Sequence, residues 1–73
     1  MDRKALEESL RRAEGIVQIG QDQIEQQKTL ILQLEKDKQS SRAAKNLLKT
    51  FRELQLAHVK RRDDLKHQLM DGE

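Results

Sequence analysis

The sequence contains no cysteine and no proline, and its single aromatic residue is Phe51. Without cysteine there are no disulfides and no thiolate metal sites, the reinforcements on which small secreted domains usually depend. That matters at 73 residues, close to the size below which one hydrophobic core rarely sustains a fold. Association with another chain is the remaining route to burying more apolar surface. With no proline and only three glycines, few positions oblige a helix to stop. The longest apolar run is Leu30-Ile31-Leu32, far below the roughly 20 residues of a membrane-spanning helix. Nor does an apolar stretch follow Met1-Asp2-Arg3-Lys4, so no signal peptide is read and a cytoplasmic location is expected.

What is present favours helix. Leu, Gln, Glu, Lys, Arg and Ala dominate, the residues that lose least side-chain freedom in that state. A charged fraction of 38% would also suit a disordered chain, but disorder lacks a sustained apolar period. Here Leu6, Leu10, Ala13, Val17, Gly20, Ile24, Gln27, Ile31 and Leu34 recur at alternating steps of four and three. This is a heptad repeat interrupted only by the empty Gly20 and the polar Gln27. A first helix is expected over about 3–36. Glu7–Arg11 and Glu8–Arg12 lie on its exposed side in the favourable i, i+4 order. Apolar residues stop at Leu34 and resume at Ala43, which places a turn at 37–41. Ser40 or Ser41 can cap a second helix over about 42–70. The turn has no glycine to end the first helix in a left-handed conformation, so Lys38 would have to adopt it. One unbroken helix is the alternative.

The second half repeats the pattern at Ala44, Leu47, Phe51, Leu54, His58, Arg61, Leu65 and Gln68. Folding the chain about residue 39 sets Ile31 against Leu47, Ile24 against Leu54, Gly20 against His58 and Ala13 against Leu65. Large residues often face small ones, as interdigitated packing requires. That agreement favours an all-α fold, an antiparallel two-helix coiled-coil hairpin forming one domain over 1–73. Towards the open end a row through His58, Arg62, Leu65 and Leu69 serves as well as one through Arg61 and Gln68, a local stutter in the repeat.

Several apolar side chains do not fit between two helices. Ile16 and Leu30 flank the expected seam on helix 1, and Leu48 and Leu69 flank it on helix 2. Leu56 and Val59 point further round, with Ile19 and Leu32 as outliers. A stripe this broad calls for a second layer. The simplest is a twofold homodimer forming a four-helix bundle; a larger homo-oligomer and a monomer awaiting a different protein are the alternatives. Ile16, Leu30, Leu48, Leu56, Val59 and Leu69 are therefore the candidate interface.

Little in the chain suggests catalysis. His58 reads as a packed histidine rather than a pH-responsive group or a ligand. His67 lies nine residues away, not the three or four that let two histidines on a helix share a metal. Asp63 and Asp64 leave a helix about 100° apart and do not converge. With no nucleophile–base spacing, phosphate loop or metal cluster, no enzyme activity, cofactor or metal is expected. Charge is unevenly placed: residues 1–36 carry six basic and seven acidic side chains, residues 37–73 nine and six. Arg42, Lys45, Lys49 and Arg52 step by three, four and three along one outward stripe of helix 2. Such a stripe can follow a nucleic-acid backbone through phosphate contacts, although aromatic stacking groups are lacking and charged helix surfaces are common. No membrane partner is expected, because the outer face has no Trp or Phe anchor.

Val17, Gly20, Ile24, Gln27 and Leu34-Glu35 in helix 1, with His58-Val59 and Arg62-Asp63 in helix 2, resemble the pattern of a group of short uncharacterised bacterial proteins. The likeness covers Ala13 to Glu35, Leu47-Leu48 and Phe51 to Leu65, and departs in the turn, where that group usually has a glycine and this chain has Lys38. It implies a helical hairpin and no assigned activity. In architecture alone the expected fold is also similar to the Rop family of plasmid copy-number regulators, dimers of helical hairpins that bind paired RNA loops. Fold does not carry function. Composition and pattern lead to the expectation of a small, non-catalytic, self-associating scaffold or adaptor that binds another protein through its helical faces. An RNA-binding bundle is the alternative.

Overall fold

The computed structural model describes residues 2–71. Two helices, α1 (Arg3–Lys36) and α2 (Arg42–Asp71), pack against each other as an antiparallel hairpin measuring 56 × 14 × 13 Å. Local chemistry sets their ends. Asp2 caps α1, its side chain accepting from the Lys4 amide at 3.4 Å. At the other end Lys38 takes a left-handed φ of 60°. Its amide donates to the Glu35 carbonyl, and the Gln39 amide donates to the Leu34 carbonyl, the paired bonds of a Schellman turn. The chain therefore reverses without a glycine, and the single unbroken helix does not form. Ser40 Oγ accepts from the Arg42 amide at 3.4 Å, and the Ser41 carbonyl accepts from the Lys45 amide, which starts α2.

The seam on α1 follows the heptad row, burying Leu6, Ala13, Gly20, Ile24, Gln27 and Ile31. On α2 it differs from expectation. Ala44, Gln55 and Leu65 are buried, while Leu48, Phe51, His58, Arg62 and Leu69 are half-buried. The row thus passes through Leu48, Gln55, Arg62 and Leu69, and it leaves Leu47, Leu54, Arg61 and Gln68 exposed. What had been expected only at the open end holds along the whole helix.

The cause lies at Gly20. A Cβ there would stand 2.8 Å from Gln55 Cδ and closer still to Gln55 Oε1, so only a residue without a side chain admits the amide. Gln55 Nε2 donates to the Val17 carbonyl at 2.8 Å, using the lone pair that the helical ladder leaves free. Gly20 therefore faces Gln55, not His58. Gln27 does the same in the opposite direction, its Nε2 donating to the Ala44 carbonyl at 2.9 Å. At the open end Leu6, Ala13 and Leu65 close the core, with Leu10 and Leu69 packed against them. Even so, none of the described large side chains is fully withdrawn from solvent. The core is one layer of side chains thick.

Candidate binding faces

A two-helix seam has two flanks. Twofold-related antiparallel helices place equivalent heptad positions on the same side, so residues just after a seam position share one flank and residues just before share the other. The structure displays the first of these directly. Glu35 follows Leu34, Lys45 follows Ala44, and their side chains pair across the helices at 3.0 Å. Lys28 and Lys45 also rim a shallow apolar groove of about 340 Å³ floored by Ile31, Leu32 and Leu48.

This flank is charged. Glu14, Glu25, Lys28 and Glu35 lie along it on α1, opposite Arg42, Lys45, Lys49 and Arg52 on α2. The four basic residues occupy one exposed stripe, in agreement with their spacing. Lys45 is held by Glu35, whereas Arg42, Lys49 and Arg52 have no ion pair among the described residues. Leu56 and Val59 lie further along the same side; Leu56 is 73% exposed and Val59 is half-buried.

The opposite flank is different in kind. It carries Ile16 (44% exposed) and Leu30 (46%) on α1 and Leu47 (45%) and Leu54 (51%) on α2. Each directly precedes a seam residue, respectively Val17, Ile31, Leu48 and Gln55. Beside them stand Ile19, Gln23 and Gln26 on α1 and Ala43, Thr50 and Ala57 on α2. From Ile16 to Gln33 and from Ala43 to Ala57 this flank carries no charged side chain. Charge resumes only at Arg12, Arg61 and Asp64, near the open end.

The six candidate interface residues thus separate into three groups. Ile16 and Leu30 share the apolar flank. Leu56 and Val59 lie on the charged one. Leu48 and Leu69 belong to the seam, since Leu48 lines the groove with Ile31 and Leu69 packs on the core at the open end. Their places outside the seam are taken by Leu47 and Leu54, which reasoning from the sequence had assigned to the interior. The missed signal was Gly20: an empty seam position needs a long partner, and Gln55 supplies one where His58 was expected.

No three His, Asp or Glu side chains among the described residues gather closely enough to hold a metal ion. Asp63 is engaged with Arg62 at 3.1 Å and Asp64 with Lys60 at 3.3 Å, so the two carboxylates point to different partners. Neither described helix is long and apolar enough to cross a membrane. No family model matches this chain, nor does any curated protein or solved structure.

Proposed function

We propose that the protein is a small non-catalytic scaffold that self-associates, as a homodimer forming a four-helix bundle, and presents helical faces to a protein partner. The observation that carries this reading is the uncharged flank. A hairpin with a core one layer thick exposes Ile16, Leu30, Leu47 and Leu54 on one uncharged flank, and exposed apolar groups gathered on one face mark interaction sites. Helices in such bundles bury a broad stripe, not a two-helix seam alone. Leu56 and Val59, on the other side, remain available to a second protein.

Self-association couples stability to concentration, because a partner that binds only the folded state raises the melting temperature by mass action. Thermal unfolding followed by circular dichroism over about a hundredfold range of protein concentration tests this. The midpoint is expected to rise with concentration; an invariant midpoint counts against the bundle.

One observation favours a second reading, an RNA-binding bundle: Arg42, Lys49 and Arg52 share an exposed stripe and have no ion pair among the described residues. Phosphate contacts made by such a stripe weaken steeply with salt. Binding of a structured RNA that falls with salt and is lost in Lys45→Glu/Lys49→Glu supports that reading, and salt-independent or absent binding removes it.

A further inference from the structure

We infer that the flank carrying Ile16, Leu30, Leu47 and Leu54 is the surface on which a second copy of this chain docks, leaving the charged flank outward. The inference rests on the proposed self-association and names the face that performs it. Three observations converge on this surface and this occupant.

The first is a choice made by α2. Its two adjacent rows have the same composition: Leu48, Gln55, Arg62 and Leu69 face α1, while Leu47, Leu54, Arg61 and Gln68 do not. Turning Gln55 inward leaves Leu54 half in water, although a leucine gains by full burial. The outward row therefore keeps as many leucines as the row that packs on α1, and both of them, Leu47 and Leu54, are exposed. It lies beside the Ile16–Leu30 stripe of α1.

The second is charge. A twofold contact sets a face against itself, so any charge near the axis meets its own copy, and every other charge on the face must find an opposite charge or be buried unpaired. The apolar flank has none between Ile16 and Gln33 or between Ala43 and Ala57, and it can self-dock without stranding an ion. The other flank would bring the basic stripe of each copy into a buried interface. The uncharged flank fits a copy of itself better than it fits a highly charged partner.

The third is area. The chain exposes 5832 Å², whereas a compact monomer of its 8.6 kDa mass is expected to expose about 4,700 Å². The excess of roughly 1,100 Å² exceeds the roughly 800 Å² that each partner contributes to a standard stable interface. One docked copy accounts for it.

The test compares the two flanks in the full chain. Leu47→Glu and Leu54→Glu place carboxylates on the proposed interface, and Leu32→Glu and Leu56→Glu place them on the charged flank as controls. All four side chains are exposed in the hairpin, so none of the substitutions buries a carboxylate within the single chain. By light scattering, the first pair is expected to shift the solution mass from twice 8.6 kDa to 8.6 kDa, and the controls to leave it unchanged. Because the chain has no cysteine, Leu54→Cys and Leu56→Cys each introduce a sole thiol and keep the surface apolar. Alkylation is expected to be several-fold slower in Leu54→Cys than in Leu56→Cys, a readout that stands even if a glutamate variant fails to fold. A wild-type dimer that survives Leu54→Glu, or in which the Leu56→Cys thiol is the protected one, overturns the choice of face and leaves self-association intact. A wild-type monomer at every concentration removes self-association and this inference together.

Discussion

Gly15 and Gly20 lie in the same helix and carry the same penalty of roughly 1 kcal/mol against alanine, yet their surroundings differ completely. A Cβ on Gly15 meets nothing within 4 Å, whereas one on Gly20 collides with the Gln55 carboxamide. Gly15→Ala should therefore stabilise the protein by about 0.5–1 kcal/mol, the full helix-propensity gain. Gly20→Ala must displace Gln55 and lose the bond to the Val17 carbonyl. It should destabilise by about 1 kcal/mol, since an unmade buried hydrogen bond costs more than the propensity returns. Gln55 Oε1 is already buried without a hydrogen-bond partner among the described residues, so the Nε2 bond is the one hydrogen bond this side chain makes there. Urea unfolding of the two single variants at one protein concentration measures the difference. In a Gln55→Ala background the clash disappears, and Gly20→Ala should become stabilising. If it stays destabilising there, Gly20 serves something other than the Gln55 side chain.

At the scale of the helices, the turn is where the chain departs from what its backbone would prefer. Lys38 sits at φ 60°, a region costing a non-glycine residue about 1 kcal/mol. Lys38→Gly removes that penalty while keeping both Schellman bonds, and should raise stability by about 0.5–1 kcal/mol; thermal melting monitored by circular dichroism reads it. An unchanged or lowered midpoint would mean that the lysine side chain contributes something that the backbone geometry does not reveal.

The helical elements also separate what was legible in the sequence from what was not. The row on α1 could be read directly, because Ala13 and Ile24 are apolar between polar neighbours, and Leu6 and Ile31 continue their alternating steps of three and four. Antiparallel pairing followed from the match between that row and the repeat after Ala43. The rotation of α2 could not be read in the same way. Its two candidate rows each offer two leucines, one glutamine and one arginine, so hydrophobicity gives no preference between them. Specific contacts break the tie: Gln55 fills the space over Gly20, and Leu69 joins Leu6 and Leu10 at the open end. A reading that weighs each position alone takes Leu54 over Gln55. It misses that a glutamine with a free carbonyl to bond is a good seam residue, and Gln27 on Ala44 is a second instance. The basic stripe was legible because spacing alone defines it, but the Glu35–Lys45 bond across the helices depends on the register.

For the whole molecule, the proposed assembly gives the two flanks different roles. A flank uncharged from Ile16 to Gln33 and from Ala43 to Ala57, with Ile16, Leu30, Leu47 and Leu54 on it, suits burial against a copy. A charged flank with an apolar groove between Lys28 and Lys45, and with Leu56 beyond it, suits exposure and the capture of something else. A lone hairpin of 56 × 14 × 13 Å leaves both in water; pairing two hairpins through the first, as proposed, would cover one and double the other. The solution mass across a dilution series, by light scattering behind a sizing column, tests this most directly. A mass of twice 8.6 kDa that persists on dilution is the expected result, and a helical species of 8.6 kDa at every concentration would contradict it.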